Sequence, residues 1–370
     1  MKKFLALLVL AALAATAVYL RYGAGEPYPD LTGAPLVDAA ALEIAVRYPE
    51  GVGNVAVSRD GRLFFTVHPE ARTEGNRLLE WSDGAAVPYP DGASQLELFD
   101  TVLGLTIDGD NRLWTIDHGQ HGLREPRLLG FDLSNGEVVH DRRFGNDVAP
   151  AGSMLQDLRV SGDGRWIFIA DASVVRQSPA LIVYDRRSGQ ARRVLEKHPS
   201  VLPEDYLIRA GGTDMRWLGG LISLRIGVDG LALDETNGWL YYGAINHSGL
   251  FRLPLAALTD AALPDARRVA QIERVADKPL SDGLAAGPAG EVYVTDVEHG
   301  AIMRYREGRL QTLLRSERIR WADGLALGPG SDLYIADSAL QHLVLRTAEH
   351  RRRSAPYYVY RLPLPAESRD

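Results

Sequence analysis

The tetrapeptide Asp-Gly-Leu-Ala occurs three times in the chain, and its aspartates are Asp229, Asp282 and Asp323. Each copy stands immediately before a run of residues that favours a β-strand. Carboxylates gathered in one narrow space repel one another and lose hydration, so they persist where a cation, a cationic ligand or a bound proton offsets them. If the fold brings these three carboxylates together, the sequence predicts a site for a small ligand or a metal ion.

Six segments of the chain align on the glycine of this tetrapeptide, with anchors near residues 53, 104, 157, 230, 283 and 324. In each segment a short apolar strand is followed by a turn rich in Gly, Asp, Asn or Pro and then by a second strand, which is the pattern of a β-hairpin. The intervals between the anchors are 51, 53, 73, 53 and 41 residues. A propeller blade of four antiparallel strands takes about 40–50 residues. The sequence therefore predicts an all-β fold, a six-bladed β-propeller over residues 42–370.

Two more strand-like segments, 42–49 and 357–364, lie outside the six hairpins. Closing the ring removes exposed strand edges, so we expect one or both segments to complete the sheet where the chain ends meet. A β-sandwich is the alternative fold, but a sandwich gives no reason to repeat one tetrapeptide in corresponding strands.

In a propeller the first strand of each blade lines the central channel, so the six strand starts ring one mouth of that channel. The residues before the six anchors are Val52, Leu103, Gln156, Asp229, Asp282 and Asp323. We expect the last four of these residues to bind a ligand, and the same four oxygen-bearing side chains are the candidates for a metal site. The alternative is that each aspartate caps its own turn through backbone N–H groups.

The loops that follow the second strands return to the same mouth and carry further polar side chains. Among these, His118 and His299 are the candidates for acid or base catalysis near neutral pH. We expect Asn246 and His247 to contact the ligand. The alternative for each loop histidine is simple exposure to solvent.

The longest interval holds an insertion that includes residues 196–220. Long insertions in compact domains tend to be functional lids or mobile loops. Trp217 is therefore expected to cover an aromatic or apolar ligand, unless the insertion only packs on the rim.

The N-terminus has the layout of an export signal. Two lysines precede residues 4–20, which carry no charge, and Arg21 and small residues follow. Residues 15–17 offer a small-x-small cleavage site, but the apolar run is nearly long enough to span a bilayer. We expect residues 1–24 to be a signal peptide or signal anchor, residues 25–41 a linker, and the propeller to be periplasmic or secreted.

Composition excludes several classes of function. The net charge is −7 and no long basic stretch occurs, which argues against a nucleic-acid partner. The chain has no cysteine, so disulfides, thiolate metal sites and thiol nucleophiles are absent. No serine-hydrolase elbow, phosphate-binding loop or dinucleotide fingerprint is present. Membrane contact is expected only through the N-terminal segment.

Three segments carry a family resemblance: NGWLYYGAINHSGLFRLPLAAL, SDGLAAGPAGEVYVTDVEHGAIMRY and RIRWADGLALGPGSDLYIADS. Together with ALIVYDRRSGQARRVLEKHPSV, they resemble the major royal jelly protein and Yellow family in its bacterial branch. The similarity spans about residues 45–345. It implies a six-bladed propeller, usually secreted. Members of the family are implicated in dopachrome conversion or bind biogenic amines, and many have no assigned activity.

The chain is more distantly similar to the senescence-marker/gluconolactonase family of calcium- or zinc-dependent lactonases. That resemblance implies metal ligands at Val52, Gln156, Asp229 and Asp282, where the family has Glu, Asn, Asn and Asp. Val52 cannot bind a metal ion, and Asp323 is the candidate to replace the missing carboxylate.

Three functional hypotheses follow. The first is a propeller that binds a small, aromatic or cationic molecule at an acidic channel mouth, with isomerase-type activity of the dopachrome-conversion kind. The second is a lactone hydrolase that uses a divalent cation, calcium being the candidate. The third is a non-catalytic scaffold, because fold alone does not determine function.

Overall fold

The computed structural model describes residues 2–23 and 25–364 and shows six four-stranded antiparallel sheets. Blade 1 comprises Val52–Val57, Leu63–Val67, Leu78–Ser82 and Ala85–Pro88; blade 2 comprises Val102–Ile107, Arg112–Asp117, Arg127–Asp132 and Val138–Arg143. Blade 3 comprises Leu155–Val160, Trp166–Asp171, Ala180–Asp185 and Gln190–Val194; blade 4 comprises Val228–Asp234, Trp239–Ala244, Gly249–Pro254 and Glu273–Asp277. Blade 5 comprises Leu284–Ala286, Val292–Asp296, Ala301–Arg306 and Arg309–Arg315; blade 6 comprises Ala322–Leu327, Leu333–Asp337, Tyr357–Leu362 and Glu43–Tyr48. The six-bladed propeller is confirmed.

The ring closes through blade 6, which combines the two ends of the propeller. Its outer strand, Glu43–Tyr48, pairs antiparallel with Tyr357–Leu362, so that Tyr48 lies opposite Tyr357. The first strand of each blade contacts the first strand of the next around the whole ring. Both segments outside the six hairpins therefore take part in closure.

The repeated glycine permits close packing between the first strands of neighbouring blades. A Cβ atom on Gly230 would overlap the carbonyl oxygen of Asp282, and one on Gly283 would overlap that of Asp323. Neither glycine has a positive φ, so the requirement is space and not a left-handed backbone. Blade 3 has Asp157 instead, whose carboxylate accepts hydrogen bonds from the backbone N–H groups of Leu158 and Leu231.

The apolar core lies between neighbouring blades. Trp114 of blade 2 packs with Ile167 and Tyr184 of blade 3, and all three are almost fully buried. Phe168 of blade 3 packs in the same way with Tyr242 of blade 4. Burying a large apolar side chain stabilises the fold by roughly 1.5–3 kcal/mol. These contacts make the ring a rigid frame for its channel.

Helices are short apart from one at the N-terminus. The α-helices are Lys2–Tyr22, Gln95–Leu98, Gly119–Gly122, Leu255–Thr259, Asp265–Val269 and Ala348–Arg353. The 3-10 turns are Ala39–Ala41, Pro69–Ala71, Pro199–Val201, Leu218–Gly220, Pro329–Ser331 and Leu340–His342. Two-residue strands pair Glu26–Pro27 with Tyr206–Leu207, Arg209–Ala210 with Thr213–Asp214, and Arg216–Trp217 with Ile222–Ser223. The pairing of Glu26 with Tyr206 ties the N-terminal segment to the insertion before blade 4.

We call one end of the ring the mouth face. It carries the starts of the first strands, the connections 89–101 and 195–227, and the loops 68–77, 118–126, 172–179, 245–248, 297–300 and 338–356. These loops follow the second strands, which run antiparallel to the first strands and so end where the first strands begin.

Candidate functional site

A ring of buried polar side chains lines the channel just inside the mouth face. Gln156, Asp229, Asp282 and Asp323 stand at the starts of the first strands of blades 3 to 6, and all are buried. Gln156 donates its amide N–H to Oδ2 of Asp229. The indole N–H of Trp321 donates to Oδ2 of Asp282 at 2.7 Å. Each of these two carboxyl groups therefore accepts a hydrogen bond from a neighbouring side chain.

Burial and mutual repulsion raise the pKa values of these carboxyl groups. The pKa of Asp282 is raised to about 7, mainly by loss of hydration; the Trp321 hydrogen bond lowers it and the nearby Asp157 raises it. The pKa of Asp323 is raised well above its usual value by burial first and then by Asp282 and Asp229. Burial, Asp282 and Asp157 act in the same direction on the pKa of Asp229. These shifts favour the protonated forms of the ring carboxyl groups, which can donate hydrogen bonds.

His68 faces this ring from the loop that follows the second strand of blade 1. Its Nε2 atom lies 3.6 Å from Oδ2 of Asp323, an oxygen that is buried without a hydrogen-bond partner. Its Nδ1 atom accepts the backbone N–H of Glu70 at 3.0 Å, which assigns the proton of the neutral ring to Nε2. Burial lowers the pKa of His68 to about 4. A neutral N–H donor thus faces an unpartnered oxygen at a distance longer than a hydrogen bond.

Above the ring the mouth face contains a cavity of about 990 Å³. Its polar floor consists of His68, Gln156, Asp282 and Asp323. Its apolar walls include Met154, Val174, Leu224, Ile226, Ile245, Leu340 and Val344. A volume of this size accommodates a drug-sized organic molecule. The cavity is therefore suited to a ligand with an apolar body and one polar end.

A histidine and a carboxylate face each other on the wall of the cavity. The Nε2 atom of His121 lies 3.2 Å from Oε1 of Glu70. His121 and its neighbour Gln120 have positive φ values of 56° and 53°, which turns their short segment back toward blade 1. Both members of the pair line the cavity, so a ligand there can exchange hydrogen bonds with either.

His118, predicted as a catalytic residue, is fully buried behind His121 and does not line the cavity. Its Nδ1 atom accepts the backbone N–H of His121 at 2.9 Å, and the two rings lie 4.8 Å apart. Burial lowers the pKa of His118 to about 3. Its position suits a role in holding the His121 loop.

His299, the other predicted catalytic residue, lies in the loop of blade 5. It contacts Asp296 at 3.0 Å and lies 3.8 Å from Asp30. The Asp296 hydrogen bond raises the pKa of His299. The structure places it outside the cavity lining.

The predicted ligand contacts outside the ring also lie away from the cavity lining. Asn246 is fully buried and bonds three backbone groups, the N–H of Ile226 and the carbonyls of Tyr206 and Leu224. His247 accepts the backbone N–H of Gly249 at 2.8 Å and packs against Phe251. These two residues hold loops in place.

Trp217, predicted to cover the ligand, is half-buried in a hairpin of the insertion and packs against the core. The insertion reaches the cavity through Leu224 and Ile226 instead.

Below the large cavity, a void of about 10 Å³ is lined both by the channel carboxyl groups and by an ion pair. It is lined by Asp229, Asp282 and Asp323, together with Asp157 and its partner Arg159 at 2.8 Å. A void of this size has room for about one water molecule. The Arg159 guanidinium supplies positive charge on the channel side of the ring.

The channel ring does not have the geometry of a metal cage. Among residues 2–23 and 25–364, the only three acidic or histidine side chains with ligand atoms all within 4.8 Å of one another are Asp30, Asp296 and His299. Gln156 turns its amide nitrogen, not its oxygen, toward Asp229. The predicted donor set of Gln156 and the three channel aspartates would need to rearrange to bind a hard cation, which prefers six to eight oxygen ligands.

The fold and the site together define a six-bladed β-propeller with a protonatable channel ring beneath a ligand-sized cavity. The chain belongs to the major royal jelly protein family, whose family model matches residues 101–344. This match confirms the resemblance stated from the sequence. A comparison with curated proteins found no match.

Solved structures share the fold at low sequence identity. A gluconolactonase from Xanthomonas campestris aligns over 93% of this chain and 98% of its own, with a TM-score of 0.53 and 14% identity. The calcium-binding protein regucalcin from Agrobacterium tumefaciens aligns over 89% and 95%, with a TM-score of 0.54 and 14% identity. A luciferin-regenerating enzyme aligns over 86% and 94%, with a TM-score of 0.53 and 12% identity.

Sequence reasoning missed His68, Glu70 and Trp321 as members of the site. A signal for the first was present, since His68 directly follows the second strand of blade 1 just as His118 follows that of blade 2. The same reasoning that selected His118, namely that a loop after a second strand returns to the channel mouth, would have identified His68 in blade 1.

Proposed function

We propose that the chain binds a small molecule with an apolar body and a cationic or hydrogen-bonding end in the cavity above the channel ring. The observation that carries this proposal is the unpartnered Oδ2 atom of Asp323 on the floor of that cavity. A buried polar atom without a partner costs free energy, so a ligand that supplies a donor there gains affinity. The presence of a large cavity favours small-molecule binding over a scaffold role for the propeller.

The same floor can carry an isomerase-type, dopachrome-conversion-like reaction. Asp282, with its pKa near 7, accepts a proton from one atom of the ligand and returns one to another atom, so no co-reactant is consumed. The N–H of His68 and a protonated Asp323 stabilise negative charge that develops on a ligand oxygen during the transfer. Apolar side chains line the walls of the cavity around these groups.

A binding screen followed by titration tests the proposal. Biogenic amines and quinone-type aromatics are screened by thermal shift, and the best ligand is titrated calorimetrically against the wild type, Asp323→Asn and Asp229→Asn. We expect Asp323→Asn to weaken binding at least tenfold and Asp229→Asn, whose side chain lies below the cavity, to change it much less. Equal affinity of the ligand for all three proteins would contradict the proposal that Asp323, on the floor of the cavity, binds the polar end of the ligand.

A metal-dependent, gluconolactonase-like hydrolase is the second candidate, favoured by the four oxygen-bearing side chains of the ring. A divalent cation would be held by Asp229, Asp282, Asp323 and Gln156, and it would polarise a lactone carbonyl or activate water. In the present arrangement Trp321 and the amide nitrogen of Gln156 donate to two of the carboxyl groups. The donor set does not fit a cation in this state, so we derive no step through one.

We also propose that the propeller works outside the cytoplasm, with the Lys2–Tyr22 helix as its signal or anchor. That helix is long and apolar enough to cross a membrane, although a cleaved signal would pass the same test. Cell fractionation with N-terminal sequencing of the recovered protein distinguishes the two. Recovery of the whole chain in the cytoplasm would exclude both.

A further inference from the structure

The N-terminal helix ends on the mouth face beside the cavity. The Tyr22 hydroxyl donates to the carbonyl of Val175 at 3.0 Å, and Arg21 donates to the carbonyl of Arg176 at 3.0 Å. Arg225 of the insertion donates to the carbonyl of Gly23 at 2.6 Å. No residue of the helix is buried in the protein, and Arg21 lines the cavity. The helix thus leaves the propeller next to the cavity opening.

The mouth face also holds the most exposed apolar side chains of the propeller. Within the described residues outside the N-terminal helix, five large apolar side chains are 57–83% exposed, and the next such residue is 52% exposed. The five are Leu96, Leu123, Val175, Leu218 and Leu345. All five lie on connections of the mouth face, and three of them, Leu123, Val175 and Leu345, line the cavity. Exposed apolar side chains clustered on one face mark an interaction surface.

Part of the charge on this surface is neutralised within the protein, because three of its exposed arginines are paired with carboxylates. Arg124 contacts Asp100 at 3.0 Å. Arg209 and Arg216 contact Asp214 at 2.6 and 2.7 Å. What distinguishes the mouth face is its set of exposed apolar side chains.

We infer that the mouth face lies on the lipid bilayer that the N-terminal helix enters. The 21-residue helix is about 31 Å long at 1.5 Å per residue, which matches a hydrocarbon core of about 30 Å. Tyr19 and Tyr22 stand at its propeller end, where aromatic residues favour the membrane interface. Because Arg21 and Tyr22 bond directly to the loop that carries Val175, the exposed leucines and valine of the mouth face lie close to the same membrane interface.

This placement specifies the class of ligand, a step that rests on the proposed function of the cavity. A cavity with apolar walls that opens against a bilayer takes molecules that partition into lipid. An amphiphile with its polar end on Asp282, Asp323 or His68 and its apolar body along the walls satisfies both environments. Freely water-soluble sugars would have no direct route into it.

Site-specific labelling of the full-length chain in phosphatidylcholine nanodiscs tests the inference. The natural chain has no cysteine, so single variants Leu123→Cys, Val175→Cys and Leu345→Cys can each carry one environment-sensitive fluorophore. Val138→Cys is the matched control, because Val138 is also an exposed apolar residue but begins the outer strand of blade 2 at the opposite end of the ring. No ligand is added, so the outcome is independent of the proposed function.

At the three mouth positions we expect blue-shifted emission and at least twofold stronger quenching by nitroxide-labelled lipid than by aqueous iodide. At Val138 we expect the reverse, with stronger quenching by aqueous iodide than by nitroxide-labelled lipid. Iodide quenching at the mouth positions equal to that at the control would overturn the inference. Protection from both iodide and nitroxide lipid would also overturn it, because it would indicate contact with protein instead of lipid.

Discussion

The Nε2 atom of His68 and the Oδ2 atom of Asp323 face each other across 3.6 Å on the floor of the cavity. The two residues come from blades 1 and 6, which become neighbours only because the ring closes. Both are buried; burial lowers the pKa of His68 to about 4, so its imidazole is neutral near pH 7, and burial raises the pKa of Asp323 well above its usual value. A single polar atom of a ligand, or a water molecule, that lies to one side of this pair can bond to both atoms.

Replacing Asp282 with asparagine should change how stability depends on pH. The folded-state pKa of Asp282 is about 7, against a usual value of 3.8. As pH rises between those values, the unfolded chain releases a proton that the folded chain retains, so the free energy of unfolding falls. The Asp282→Asn variant has no carboxyl group to titrate at this position, so its free energy of unfolding does not fall for this reason. Its stability relative to the wild type should therefore rise from about pH 4 to about pH 7 and level off above, by an amount on the order of a few kcal/mol.

Denaturant unfolding of both proteins from pH 4 to pH 8 measures this difference. Asp110→Asn, at an exposed aspartate of blade 2, is the control and should follow the wild type. A stability difference for Asp282→Asn that does not vary with pH would contradict the raised pKa.

Replacing His68 with asparagine should have the opposite pH dependence. The folded-state pKa of His68 is lowered to about 4 from 6.5. As pH falls between those values, the unfolded chain binds a proton that the folded chain excludes, so the wild type loses stability. Asparagine can still accept the Glu70 N–H but cannot titrate. The variant should therefore lose less stability than the wild type between about pH 6.5 and pH 4, and a parallel loss in both proteins would refute this assignment.

Replacing Gly283 with alanine should destabilise the ring. The new Cβ atom would overlap the Asp323 carbonyl oxygen of the next blade, and forcing extra volume into a packed site costs about 1–3 kcal/mol. Gly33→Ala is the matched control, because a Cβ there meets nothing within 4 Å. A lower melting temperature only for Gly283→Ala is expected. Equal melting temperatures would show that the repeated glycine is not needed for packing between blades.

Calcium should not raise the melting temperature at neutral pH. Gln156 and Trp321 donate to two of the channel carboxyl groups, and burial raises the pKa of Asp323, which disfavours its charged form. Differential scanning fluorimetry with added calcium and then with chelator measures the effect. Stabilisation by calcium that chelator reverses, and that Asp282→Asn abolishes, would establish the metal-dependent alternative.

The fold and the channel ring could be predicted from the sequence because each blade repeats a local pattern. The repeated Asp-Gly dipeptide has two roles: its aspartate points into the channel, and its glycine packs against the next blade. Both roles follow from the repeat itself once the blades are assumed to form a closed ring.

The cavity could not be predicted in the same way, since it depends on how loops of different blades meet. The donors to Asp229 and Asp282 come from neighbouring blades, and the orientation of each loop histidine is set by a local hydrogen bond. His68 and His118 each accept a backbone N–H through Nδ1, yet only His68 reaches the cavity. Sequence spacing identifies both histidines without separating them.

A crystal structure of the protein with the tightest-binding amine from the screen tests the central claim most directly. We predict that the ligand lies in the 990 Å³ cavity, with its polar end within hydrogen-bond distance of Asp323, Asp282 or His68 and its apolar body along Leu224, Ile226 and Val344. A ligand bound elsewhere on the propeller, with this cavity holding only water, would contradict the account.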